Sequence, residues 1–320
     1  MRTFVMIDGQ TRELAAGEAL PDGKAQLVWH HLDGRDNTAQ DWLNAQSDIP
    51  DLARAALLAT ETRPRSEAMG EGVLVNLRGL GEVREGDSDR LVSVRFWAQS
   101  CRCISVSLRE SAAIPPTIAA FCAGRIRDPG DLLASFADTV TDQLDPDVAA
   151  LGDALDDFEV KLESRSVYAM RREVSVLRSS AIAYRRFVGP QRQALERLAL
   201  ARVDWFDETD RAHLSEAADR FARMAEELEA IRERAAVVHD ELTDLHAEAM
   251  DGRALVISIY ALVFLPLTFI TGLLGMNVPI PYGEHPHAFW WVLGFCVLVA
   301  LAGLALFVRR RWLRRDGSAG

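Results

Sequence analysis

Gly275-Met276-Asn277 stands where a 21-residue run without formal charge, 254–274, comes to an end. A second uncharged run of 21 residues, 288–308, follows after a 13-residue turn, 275–287, which also holds Glu284, His285 and His287 and has no Lys or Arg. An amide oxygen such as that of Asn277 suits a hydrated or partly hydrated divalent cation without holding it too tightly to leave. Carboxylate and imidazole together, as in Glu284, His285 and His287, suit zinc better than magnesium. The same residues have a plainer reading. Gly and Asn are favoured at helix C-termini, and the rest can be an ordinary polar turn. On residue chemistry alone both readings stand.

Other residues of the right type are scattered. His239 and His246 are seven apart, beside Asp240 and Asp244, so they share one stripe of a helix; they form either a cytoplasmic cation site or solvated neighbours of a packed seam. His30-His31 follows a strand-like run and reads as packing or surface. Cys101 and Cys103 alternate on a strand-like segment, but fewer than three ligands accompany them, so they read as small core residues.

These groups need positioning. Each uncharged run is long enough to cross a hydrocarbon core of about 30 Å at about 1.5 Å per residue, and the short turn makes a transmembrane hairpin. One hairpin encloses no water, so an ion path requires several copies around an axis. The first run carries the more useful polar groups, Ser258, Tyr260, Thr268 and Thr271, with Gly272 and Gly275; the second offers Gly294, Cys296 and Gly303. Neither holds Asp, Glu, His, Lys or Arg, so no proton relay is visible and proton coupling stays open. Arg309, Arg310, Arg311, Arg314 and Arg315 directly after the second run predict a cytoplasmic basic tail, 309–320, and a hairpin then puts the N-terminal part in the cytoplasm too. The opening residues lack a basic-then-apolar leader pattern.

The formal net charge of −11, despite that tail, argues against nucleic acid as a partner and suits a surface that gathers cations. Apolar runs at 2–7, 25–29, 73–79, 91–97 and 101–108 predict strands, and 38–47, 50–60 and 112–124 predict helices, giving an α/β domain over 1–128. It has no Gly-rich phosphate loop and no nucleophile elbow, so no enzymatic catalysis is expected. A helical region, 129–253, follows. Asp128-Pro129 and Asp145-Pro146 predict helix starts, Gly189-Pro190 a break, and Asp207 or Thr209 the cap of a last helix. On that helix Leu214, Phe221, Leu228, Ala235, Leu242 and Ala249 recur every seven residues. Ala217, Met224, Ile231, Val238 and Leu245 fill the second seam position. The seam runs into the first span, which predicts a single stalk helix over about 208–274.

The run YALVFLPLTFITGLLGMNVPIPY (260–282) resembles the signature region of the CorA superfamily of divalent-cation transporters. Trp29-His30-His31-Leu32-Asp33, the DWL at 41–43, Glu61-Thr62-Arg63-Pro64-Arg65 and VLVNLRG at 73–79 resemble its zinc-transporter branch, so the likeness covers nearly the whole chain. It implies a homopentamer with a cytoplasmic α/β domain, a long helical stalk and a two-helix transmembrane hairpin (254–308), set in the bacterial inner membrane with both termini cytoplasmic. The family's pore positions fall on Gly275, Met276 and Asn277, with Asn277 as the outer filter, and on Thr268 and Gly272. Its narrow apolar gate corresponds in character to Leu265, Ala261 and Ile257. The acidic segment that magnesium channels carry after the tripeptide is missing, and Val278-Pro279-Ile280-Pro281-Tyr282 is closer to the zinc branch. The expected function is divalent-cation transport, zinc first, with no cofactor beyond the transported ion and with protons as an open second partner. A magnesium or cobalt channel of the same fold is one alternative; a membrane-anchored coiled-coil sensor is another.

Overall fold

The computed structural model describes residues 1–15, 18–20, 25–60, 63–81, 90–161, 167–276 and 286–315. These form two compact units, Met1–His239 and Asp240–Gly320.

The first unit is built on a seven-stranded sheet of order β2-β1-β3-β7-β6-β5-β4. Its strands are β1 (Arg2–Ile7), β2 (Gln10–Leu14), β3 (Leu27–Asp33), β4 (Arg65–Met69), β5 (Gly72–Leu80), β6 (Leu91–Gln99) and β7 (Arg102–Ser107). All neighbours are antiparallel except β3 and β7. The two edge strands, β2 and β4, were not expected from the apolar runs. Each is half of a hairpin whose turn has a glycine at positive φ, Gly9 (75°) after Asp8 (49°), and Gly70 (62°). Asp-Gly with both residues left-handed is a favoured two-residue connection between twisted strands.

Both sheet faces are covered. Helices α1 (Asn37–Asn44) and α2 (Asp51–Leu58) lie on one, where Leu43, Ile49, Leu57, Leu74, Trp97, Ile104 and Val106 form an apolar core. Among the contacts of helices α3 (Ile114–Cys122) and α4 (Pro129–Lys161), Phe121 packs 5.9 Å from Phe4 and Phe136 packs 4.9 Å from Phe96, ring to ring. Cys103 is buried, and burial pushes its thiol well above the usual range. Cys101 is exposed in the β6–β7 turn, so the two cysteines share no strand face. His30 is buried and His31 half-buried, on opposite faces of β3. Each Nδ1 meets a hydroxyl, Thr3 at 3.0 Å and Ser105 at 2.8 Å. Burial holds both imidazoles down at about 4, hence neutral.

Two expected helix breaks do not occur. Pro146 lies inside α4, and Pro190 inside α5 (Val167–Ala199). An interior proline forfeits one backbone bond, about 3 kcal/mol, so packing must offset it. Around Pro146, Leu144 and Val148 are buried, and Asp142 and Asp145 both bind Arg220, at 2.8 and 2.5 Å. Asp145 is thus an ion-pair partner rather than a cap. Next to Pro190, the buried Gln191 exchanges two bonds with the Arg78 backbone, at 2.7 and 2.9 Å, which fastens α5 to β5.

Helix α6 (Glu208–Leu274) starts where Asp207 caps it, its Oδ1 accepting from the Asp210 N–H at 2.7 Å. In the first unit the heptad seam is buried at every position from Leu214 to Val238. Its flanks pair with the neighbouring helices: Arg234 with Asp156 (2.6 Å) and Glu159 (2.7 Å) of α4, and Glu229 with Arg185 of α5 (2.9 Å). In this part the seam is therefore flanked by helices of the same chain. In the second unit Leu242 is buried, whereas Leu245, Ala249 and Gly252 are exposed.

Candidate pore and metal sites

The second unit comprises the end of α6 and helix α7 (Ala288–Arg315). Among the described residues, α6 is the one helix long and apolar enough to cross a membrane, and the apolar part of α7 covers Phe289–Gly303. The two helices meet at Gly303, where an added Cβ would lie 3.2 Å from Val263 Cγ2.

That contact orients α6. At about 100° per residue, Ile257, Ala261, Leu265, Thr268, Gly272 and Gly275 fall within an arc of about 80°. All six are exposed, Leu265 by 75%. The half-buried positions Ile259, Val263, Pro266, Leu267, Ile270 and Leu274 occupy the opposite arc, the one turned toward α7. The expected pore residues thus form one stripe facing away from the helix's own partner. Apart from Thr268 and the glycines the stripe is apolar. Met276, just beyond the helix end, is exposed as well, by 54%.

Thr268 is set up as an acceptor. Its hydroxyl donates to the Phe264 carbonyl one turn back at 2.7 Å, which leaves the oxygen lone pairs for an outside partner. Thr271 does the same toward Leu267 at 2.9 Å, and Ser258 toward Ala254 at 2.9 Å, but neither lies in the stripe. Among the described residues no atom lies within 4 Å of a would-be Cβ at Gly272, so none of them accounts for its small size.

Asn277, Glu284 and His285 lie outside the described residues. His287 is exposed, and its carbonyl accepts from Trp291 N at 3.2 Å, starting α7. On the stalk, His239 and His246 are half-buried and Asp240 is exposed.

Sequence reasoning missed one cluster. Asp128, Asp131 and Asp210 bring one carboxylate oxygen each within 4.8 Å of one another, the only such trio among the described residues. Gly130 permits this, because an added Cβ would collide with the Asp210 carboxylate. Arg127 already bonds both oxygens of Asp131, at 2.8 and 3.2 Å, and Asp128 caps α4 by accepting from Asp131 N at 2.8 Å. Asp210 is fully buried; its Oδ2 accepts from Asp207 N at 3.2 Å, while Oδ1 has no partner among the described residues. Burial first, then the Asp128 charge, pushes its carboxyl up to about 7. With Arg127 supplying positive charge, the trio works as a knot joining the starts of α4 and α6. The available signal was Asp128-Pro129-Gly130-Asp131 opening one helix and Asp207…Asp210 opening another.

The family model described as CorA-like Mg2+ transporter protein matches residues 24–311. The zinc transport protein ZntB of Pectobacterium atrosepticum is 33% identical over 312 residues, covering 96% of this chain and 94% of that protein. Among solved structures, the full-length CmaX protein superposes with a TM-score of 0.81 at 30% identity, covering 98% of both chains. The CorA magnesium transporter of Methanocaldococcus jannaschii gives a TM-score of 0.77 at 17% identity, covering 96% of this chain and 97% of that one, a likeness of fold.

Proposed function

Because the chain belongs to the family of CorA-like Mg2+ transporter proteins, we propose that it conducts divalent metal cations, zinc foremost, through a pore built from several copies of itself. The observation that carries the proposal is the α6 stripe. A face holding Ile257, Ala261, Leu265, Thr268, Gly272 and Gly275, turned away from α7 and exposed in one chain, is the face copies would direct at a common axis. Five copies, as the family resemblance implies, give a ring of Thr268 oxygens followed inward by apolar rings. Such rings admit an ion that keeps part of its water, and can gate by dewetting.

The runs 254–274 and 288–308 then form the membrane hairpin, with the arginine tail and the large α/β unit both cytoplasmic. Asn277 rings the outer mouth as filter, with Glu284, His285 and His287 gathering cations around it. Zinc is favoured over magnesium by imidazole at that mouth and by the zinc transport protein that is 33% identical over nearly the whole chain. His239, Asp240 and His246 are assigned to cation contact on the stalk. A zinc flux coupled to protons must use water or groups at the span ends, such as Asp251, Glu284 and His285, because the spans lack titratable side chains.

Asn277→Ala tests the filter. Zinc flux into vesicles carrying the purified variant should fall by roughly tenfold or more, since the ring loses its oxygen dipoles. Flux equal to that of the unaltered protein, with the oligomer intact, would remove Asn277 from the pathway.

A further inference from the structure

The strongest feature outside the membrane unit is a cationic cavity on an acidic protein. On one face of the sheet, register sets Asn76 opposite Arg95 and Arg78 opposite Ser93, with Leu74 opposite Trp97 further along the same face. Leu74 and Trp97 belong to the apolar core beneath α1 and α2. Where that cover ends, the face turns from apolar to cationic. An open cavity of about 620 Å³ begins there, with Arg63, Arg78, Arg95, Arg109 and Arg186 on its walls and no carboxylate among the described lining residues.

Arg95 is the telling member. It is only 2% exposed, yet among the described residues Nε and Nη1 have no hydrogen-bond partner, and Nη2 has a long contact to the Thr60 carbonyl at 3.5 Å. A buried guanidinium with two idle donors is costly, and burial with Arg78 alongside already works against its charge. Packing alone would be served better by an apolar side chain at this position, as at Trp97 two residues on. Arg78 is held differently: Nη2 donates to the Leu91 carbonyl at 2.6 Å, and its guanidinium stacks 4.0 Å over the Phe187 ring. The backbone beneath it is clamped by Gln191. Arg78 and Arg95 are therefore carried on paired strands, and Arg78 is held further by α5.

We propose that this cavity binds a small phosphate-bearing polyanion. Planar guanidinium forks match phosphate oxygens two at a time, and several together call for more than one negative charge. The volume is within the range of small-molecule sites, enough for a nucleoside polyphosphate whose base would rest near Phe187. The idle donors of Arg95 would be satisfied by a phosphate oxygen at the cavity floor.

Titration calorimetry on the purified full-length protein in detergent, without divalent ions, tests this with tripolyphosphate, ATP and sulfate as probes. Tripolyphosphate and ATP should bind, and sulfate at least roughly tenfold more weakly, because it has fewer charges to share among the forks. ATP binding tighter than tripolyphosphate would assign the base to the Phe187 wall, and equal binding would assign recognition to phosphate alone; both support the site. Arg95→Gln should weaken binding by roughly tenfold or more. Arg186→Gln, on the outer wall of α5, should weaken it by a smaller factor while leaving the sheet untouched, so the site remains testable if the Arg95 variant fails to fold. No polyanion binding by the unaltered protein, or affinities unchanged in both variants, would overturn the proposal.

Discussion

Thr268→Leu should cut zinc flux by roughly tenfold or more, whereas Phe269→Leu, one residue and about 100° further around the same helix, should leave it near that of the unaltered protein. The argument is geometric. Thr268 is the only residue of the exposed α6 stripe with a polar side chain, and its hydroxyl proton is already given to Phe264 O at 2.7 Å, so the oxygen faces outward as an acceptor. Leucine removes that oxygen and places a larger apolar group on the same face. In a ring of copies the change is repeated in every subunit, which lengthens the apolar constriction above Leu265 and raises the dehydration barrier for a divalent ion. Phe269 lies outside the stripe, so shortening it should alter packing without touching the ion path. Stopped-flow zinc uptake by vesicles, with an internal zinc-sensitive dye, reads both variants. Equal flux in the two would dissociate the stripe from conduction.

Asp210→Asn should stabilise the first unit at pH 8 and have little effect near pH 4. Burial and the neighbouring Asp128 push the Asp210 carboxyl up to about 7 from its ordinary value of 3.8. In that window the folded state holds a proton the unfolded chain has released, so stability falls as pH rises from about 4 and levels off above about 7. The span sets an upper bound of about 4 kcal/mol for the penalty at pH 8, at 1.36 kcal/mol per pH unit. Asparagine keeps an oxygen to accept from Asp207 N–H, currently a 3.2 Å bond to Oδ2. It also removes a like charge from beside the carboxylates of Asp128 and Asp131, which have oxygens within 4.8 Å. The midpoint of thermal unfolding should rise by several degrees at pH 8, followed by circular dichroism in buffer with chelator. A variant less stable than the parent at pH 8 would mean that the carboxylate is needed as an ion.

The sequence and the structure agree where one physical rule governs a segment. The seam from Leu214 to Val238 was legible because seven-residue spacing leaves few alternatives. Asp128 and Asp207 were legible as caps because each combines a capping side chain with the first turn of a long helix. The edge strands β2 (QTREL) and β4 (RSEAM) were not, since each has only one buried residue and hence little alternation to detect. Asp8-Gly9 was the turn signal that could have exposed the first of them. Proline misled at 146 and 190, where ion pairs from Arg220 and the Gln191 clamp on Arg78 come from residues far away in sequence. The α6 stripe proposed to line the pore was legible in type but not in direction, because the Val263–Gly303 contact is what says which side of α6 is taken. The arginine cavity was illegible for a related reason: Arg63, Arg78, Arg95, Arg109 and Arg186 are spread over 124 positions and meet only through sheet register and α5.

Zinc and magnesium uptake by proteoliposomes holding the purified oligomer, each with and without an imposed proton gradient, tests the central claim most directly. Zinc flux well above that of protein-free vesicles, and above magnesium flux under the same driving force, is the predicted result; a rise with the gradient would add protons as the second partner. Magnesium flux exceeding zinc flux, or no flux of either ion through intact oligomers, would contradict it.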